Sequence, residues 1–168
     1  MIYVTHDQTE ALTFADTVVV MHDGRVVQSG TPAELFDKPE HTFVGYFIGS
    51  PGMNIVPARV SGHEARIDGH VIGLHRNYGV LPDGATIEIG VRPEFVNVAA
   101  PGSGRLSATI ERIDDLGRVR FARVRIGDAK FAARVPPGFS VPDNEVGLVF
   151  DPAHVHVYAD SRLVEGIA

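Results

Sequence analysis

Residues 1–16 read M-I-Y-V-T-H-D-Q-T-E-A-L-T-F-A-D, an apolar run that breaks into polar chemistry and then into a helical pattern. Residues 2–4 have the apolar character of a buried parallel strand, and Thr5, His6 and Asp7 end it. Asp7 can accept from the first backbone amides of a helix while Glu10 reaches back to the cap, so Asp7-Gln8-Thr9-Glu10 predicts a capping box with Asp in place of Ser or Thr. His6 then falls between strand end and helix start. In open α/β sheets that crevice binds ligands, and an imidazole there can donate a hydrogen bond to a phosphate. Position by itself does not separate that role from that of an ordinary loop histidine.

Outward from this segment, Ala11, Leu12 and Ala15 fall at helical spacing and give a short helix one apolar stripe, ending near Asp16. Residues 17–21 and 25–28 mirror each other as strands about His22-Asp23-Gly24-Arg25, where Asp-Gly accepts the positive φ angles of a type I′ turn. Thr31-Pro32-Ala33-Glu34 combines an N-cap, a first-turn proline and a third-position glutamate, which predicts a helix to about residue 37. Pro39 is expected to open a further helix that places Phe43, Phe47 and Ile48 on one side and stops at Gly49.

Ser50-Pro51-Gly52 marks a boundary, and the pattern then changes to strands. The expected strands cover 54–60, 63–67, 71–74, 86–91, 95–98, 106–113, 119–126, 131–135, 146–150 and 155–158, separated by Gly, Pro, Asp and Asn. Many short strands at near-regular spacing predict a small antiparallel barrel.

The net charge of −6 and a pI near 5.7 argue against a nucleic-acid or anionic-membrane partner. The chain has no Cys for disulfides or thiolate metal sites, no apolar run long enough for a membrane helix, and no basic-then-apolar leader pattern. Its two lysines are Lys38 and Lys130, and neither follows Gly, so the Gly-Lys-Ser/Thr of a phosphate-cradling P-loop is absent.

Four further groups invite a chemical reading. Arg118, Arg120, Arg123 and Arg125 alternate imperfectly with Val119, Phe121, Val124 and Ile126. A bulge near Ala122 would keep the apolar set inside and turn the arginines to solvent, without the interleaved aromatics of a single-strand binder. His154 and His156, with Asp151, make an incomplete metal set. Asp114 and Asp115 point to opposite strand faces and so form no acid/base pair. Arg92-Pro93-Glu94 reads as a structural anchor where a strand ends.

Y-V-T-H-D-Q-T-E-A at residues 3–11, with Ala15-Asp16 and the run from V-V-V-M-H-D-G-R through S-G-T-P-A-E-L-F at 18–36, resembles the switch-histidine region of ATP-binding-cassette (ABC) transporter ATPases. The agreement continues through Pro39, Phe43-Val44 and F-I-G-S-P-G-M-N at 47–54, the wording of the sugar and polyol importer branch of maltose-importer type. Beyond that it is looser, through V-R-P-E at 91–94 and L-G at 116–117.

The resemblance implies an α+β chain. Residues 1–49 are a short α/β C-terminal portion of the nucleotide-binding domain, and 50–168 an all-β, OB-like barrel with a regulatory and dimerisation role. It further implies that His6 is the switch histidine, both catalytic and in contact with the γ-phosphate of ATP. The family's P-loop, signature run and magnesium-holding acidic strand would precede Met1. The chain is therefore expected to be the C-terminal fragment of an ATP-hydrolysing importer subunit for carbohydrates or polyols. ATP and magnesium would belong to the full-length parent, with none bound to this fragment and no hydrolysis by it alone.

Implied partners are a second copy of the subunit and permease subunits, with the protein peripheral on the cytoplasmic face of the membrane. A strand at residues 2–4 without neighbours would expose its edges and favour association of copies. The alternative is a free-standing barrel that binds a sugar or an oxyanion. A nucleic-acid-binding barrel is disfavoured by charge.

Overall fold

The computed structural model describes residues 1–102, 106–142 and 144–167. Helix α1 is Gln8–Phe14, and Asp7 Oδ1 caps it by accepting from the amides of Thr9 at 2.8 Å and Glu10 at 3.3 Å. The reciprocal half of the expected capping box is supplied differently. The Asp7 amide donates to Thr5 Oγ1 at 2.9 Å, and the Glu10 carboxylate accepts from the hydroxyls of Thr5 and Tyr3. Residues 2–4 are not a strand: Ile2 is 94% exposed and Val4 89% exposed. A strand needs a neighbour to satisfy its backbone, and none of the described residues lies alongside.

Strands β1 (Val18–His22) and β2 (Arg25–Gly30) form the expected hairpin, with Asp23 at φ 49° and Gly24 at φ 72° as a type I′ turn requires. Helix α2 (Pro32–Asp37) carries the complete Thr31/Glu34 capping box. Helix α3 (Thr42–Phe47) begins three residues later than Pro39 predicts, with His41 Nδ1 as cap acceptor. Residues 39 and 40 are committed elsewhere. The Pro39 carbonyl accepts from Tyr158 Oη, the Glu40 carbonyl accepts from the Leu163 amide, and the Glu40 amide donates to Gln28. Val18, Val20, Leu35, Val44 and Ile48 close a small core over these elements.

The remaining strands are β3 (Asn54–Pro57), β4 (Arg59–Ile67), β5 (His70–Tyr78), β6 (Ile87–Val91), β7 (Val96–Ala99), β8 (Leu106–Asp115), β9 (Arg120–Ile126), β10 (Ala129–Val135), β11 (Glu145–Phe150), β12 (Val155–Ala159) and β13 (Arg162–Val164). Strands β10-β7-β11-β8-β9 close a barrel, beside a sheet β13-β12-β6-β3 and the hairpin β4-β5. The OB-like barrel is as expected, with one departure from the antiparallel pattern in the parallel pair β7 with β10, and the chain as a whole is mostly β.

The expected bulge in β9 is absent, because the register shift lies on the partner strand β8, between Ile110 and Arg112. Along β9, Ala122, Val124 and Ile126 face inward without interruption, while Phe121 is buried from the outside in a cleft shared with Pro51 and Ile113. Strand β13 was not legible, since its turn uses Asp160 and Ser161 at positive φ without a glycine.

Arg92, at the end of β6, joins the two parts. It is 3% exposed, and its guanidinium lies 3.8 Å from the centroid of the Phe36 ring. Nε donates to the Phe36 carbonyl at 2.7 Å and Nη2 to Leu35 at 3.4 Å. Nη1 donates to Ile48 at 2.5 Å and Gly45 at 3.5 Å. These are carbonyls at the C-terminal ends of α2 and α3, which have no intrahelical donor, and a planar fork answers both helices at once. Burial lowers the pKa of Arg92, and the nearby Glu94 charge opposes that shift; Glu94 Oε2 is itself buried without a hydrogen-bond partner.

Replacing Arg92 by Met should leave several of these acceptors unanswered at about 1–3 kcal/mol each, lowering stability in urea unfolding by at least about 3 kcal/mol. Arg92→Lys should recover only part of the loss, because a point charge cannot span both helix ends.

Candidate functional site

The turn Thr5–Asp7 displays His6 to solvent directly before α1, and among the described residues no hydrogen bond or ion pair engages its ring. The geometry follows from the cap. Thr5 Oγ1 holds the Asp7 amide and Asp7 holds the helix amides, and the intervening His6 is exposed. The Asp7 carboxylate is used in capping, and Glu10 by Tyr3 and Thr5. The Glu10 hydrogen bond and charge raise the Tyr3 pKa.

A nucleoside triphosphate needs several donors and cations around its phosphates. Here the turn supplies a single imidazole donor. Of the two lysines, Lys38 pairs with Glu165 and Lys130 lies on β10, lining a cleft that Gln8 also lines. The described residues around this turn therefore offer one of the several donors that a triphosphate needs.

The other groups singled out in the sequence are structural. Arg123 pairs with Asp114 at 2.8 Å, Arg112 with Asp114 at 3.0 Å and Arg125 with Glu111 at 3.4 Å, while Arg120 donates to the Phe139 carbonyl. The Arg123 hydrogen bond holds the Asp114 carboxyl below its usual range. Asp115 Oδ1 accepts from the Gly117 amide and closes the turn between β8 and β9. His154 is not on the strand with His156 but in the turn before β12, stacked on Phe95 at 3.6 Å with Nδ1 2.9 Å from Asp151. Among the described residues no three His, Asp or Glu side chains cluster as a metal site would.

Sequence reasoning passed over Gln8, which is half-buried and whose Oε1 accepts from the Gly49 amide at 2.8 Å. Nothing local marks it, because its partner is 41 residues away. Gln8 also lines an open cleft of about 790 Å³ between α3 and the barrel, with Tyr46, Phe47, Arg112, Arg123 and Lys130. Arg112 and Arg123 are already tied to Asp114 there.

Residues 89–158 match the TOBE domain model and residues 49–96 the MalK OB fold domain model. A sulfoquinovosyl glycerol transport ATP-binding protein of Agrobacterium fabrum is 36% identical, over 94% of this chain and 46% of that protein. An sn-glycerol-3-phosphate import ATP-binding protein of Cereibacter sphaeroides is 37% identical, over 94% and 44%. A trehalose/maltose import ATP-binding protein of Thermococcus litoralis is 36% identical, over 94% and 46%.

The chain is similar to the ABC importer ATP-binding subunits. It matches their C-terminal OB-fold region and spans a little under half the length of these relatives. No helix among the described residues is long and apolar enough to cross a membrane.

Two histidines between the helical part and the β12 sheet should make the chain acid-sensitive. His41 Nδ1 accepts from the Phe43 amide and so must be unprotonated, and burial, Arg162 and His22 lower its pKa. His156 is lowered by burial and by Arg92, against a hydrogen bond to the Asp37 backbone. A histidine whose pKa is depressed on folding contributes stability that is present above its unfolded value, about 6.5, and is lost as pH falls through the folded value. The thermal midpoint should drop as pH is lowered below about 6.5. His41→Asn, which keeps a cap acceptor without titrating, should flatten that dependence.

Proposed function

We propose that this chain is the C-terminal portion of the ATP-hydrolysing subunit of an importer for carbohydrates, polyols or their phosphate or sulfonate derivatives. Residues 1–49 would complete the nucleotide-binding domain, and 50–168 would form the regulatory and dimerisation barrel. The observation that carries the reading is similarity over 94% of the chain to transport and import ATP-binding proteins named for trehalose/maltose, sn-glycerol-3-phosphate and sulfoquinovosyl glycerol.

In this reading His6 hydrogen-bonds the γ-phosphate of ATP and orients it toward the attacking water. Bound ATP supplies the phosphoryl group and the driving free energy, with magnesium held by other parts of the full-length subunit. The work of His6 is positioning and electrostatic stabilisation, the terms that dominate phosphoryl transfer. Its exposed, unengaged ring suits that role, since no internal partner must be given up on contact. Asp7 supports it by fixing the turn. The subunit would work as a homodimer closed around ATP, docked on permease subunits at the cytoplasmic face.

In the full-length subunit, His6→Ala should reduce ATP turnover by about 10²–10³-fold with nucleotide affinity little changed. Turnover at the parent rate would remove His6 from the mechanism. By calorimetry, the 168-residue chain should show no saturable binding of ATP with magnesium. Saturable heat would mean that it holds nucleotide through a different surface.

A further inference from the structure

Helix α1 is lightly held. It has no fully buried residue, and its apolar contacts come from Ala11, Leu12 and, just past its end, Ala15. The opposite end, which carries His6, is organised by local bonds among Tyr3, Thr5, Asp7, Thr9 and Glu10. Such bonds shape the turn without placing it relative to the rest of the molecule. Among the described residues, one hydrogen bond leaves residues 1–16 for another part of the chain, from the Gly49 amide to Gln8 Oε1.

The peptide group that Gln8 holds is also held from the other side. Its carbonyl, that of Ile48, accepts from Arg92 Nη1 at 2.5 Å, and its amide, that of Gly49, donates to Gln8 at 2.8 Å. A carbonyl drawn toward a cation polarises its own peptide and strengthens the N–H on the opposite face, so the two contacts reinforce each other. Position 49 is matched to this arrangement. Its φ is +114°, and a Cβ there would stand 2.9 Å from Arg92 Nη1. Arg92 is rooted at the end of β6, and the peptide lies at the end of α3. A continuous path thus runs from the β13-β12-β6-β3 sheet through Arg92 and the Ile48–Gly49 peptide to Gln8, two positions after His6.

We propose that Gln8 is a positioning residue for His6, fixing the His6 turn relative to the β6 sheet through the Ile48–Gly49 peptide and Arg92. The inference rests on the reading of His6 as the phosphate-contacting imidazole. Gln8 touches no reacting atom; its effect is to limit where the imidazole can stand. The position of the β6 sheet is thereby transmitted to the imidazole, and a displacement of Arg92 against α3 would be felt at the turn.

The test uses two substitutions and two independent readouts. Gln8→Leu removes the acceptor at similar size, whereas Gln8→Glu keeps an acceptor in place. In the 168-residue chain, Gln8→Leu should speed hydrogen exchange of the Gly49 amide by at least about tenfold and sharpen the His6 imidazole resonances, and Gln8→Glu should restore both. In the full-length subunit, Gln8→Leu should lower kcat by about tenfold to a hundredfold at unchanged KM for ATP, and Gln8→Glu should recover most of it.

Unchanged Gly49 exchange in Gln8→Leu overturns the proposal. So does a Gln8→Leu subunit that turns over at the parent rate while His6→Ala does not. Parent-rate turnover in His6→Ala overturns the functional reading itself, and Gly49 exchange with the His6 resonances then decides whether Gln8 positions the turn.

Discussion

The structure depends on burying one guanidinium. Taking an arginine out of water is costly unless its donors are answered, and Arg92 meets that requirement with the free carbonyls at the ends of two short helices. Each side solves the other's problem. Helices of six residues have too few internal bonds to be stable alone, and their C-terminal acceptors would otherwise need water. The Phe36 ring beneath the guanidinium closes the site from a third direction.

Around that contact the helical part is fastened to the barrel by a series of smaller ties. Tyr158 reaches the Pro39 carbonyl, the Thr42 amide donates to the Ser161 carbonyl, and Lys38 and Arg76 share Glu165. Burial pushes the Tyr158 hydroxyl pKa up, consistent with a donor that stays protonated at this junction. The consequence for function is mechanical. The segment bearing His6 is lightly packed, and its one hydrogen bond to another part of the chain among the described residues leads, through Gln8, Gly49 and Arg92, to the β6 sheet.

Much of the fold and part of the site could be read from local chemistry. The Asp-Gly hairpin, the Thr31 capping box, the Asp7 cap and nearly every barrel strand depend on residues within a few positions of one another, where backbone sterics and side-chain reach decide the outcome. The misreadings share a cause. Residues 2–4 have strand composition but no partner, and Pro39 has a helix-opening character that Tyr158 and Leu163 override. The bulge inferred for β9 sits on β8 because either strand can absorb the same offset, and alternation in one strand does not say which.

By itself the sequence determined that the chain is an acidic, cysteine-free, mostly β protein introduced by a capped helix, with His6 in the wording of an ABC importer subunit. Those properties are set by composition and by neighbours along the chain. Only the tertiary structure decided that Arg92 closes the ends of α2 and α3 across 56 and 44 positions, and that Gln8 answers Gly49 across 41. The physical reason is that such bonds are specified by which surfaces meet. A periodic pattern fixes the face a residue occupies and carries no information about the distant carbonyl or amide that will stand opposite it.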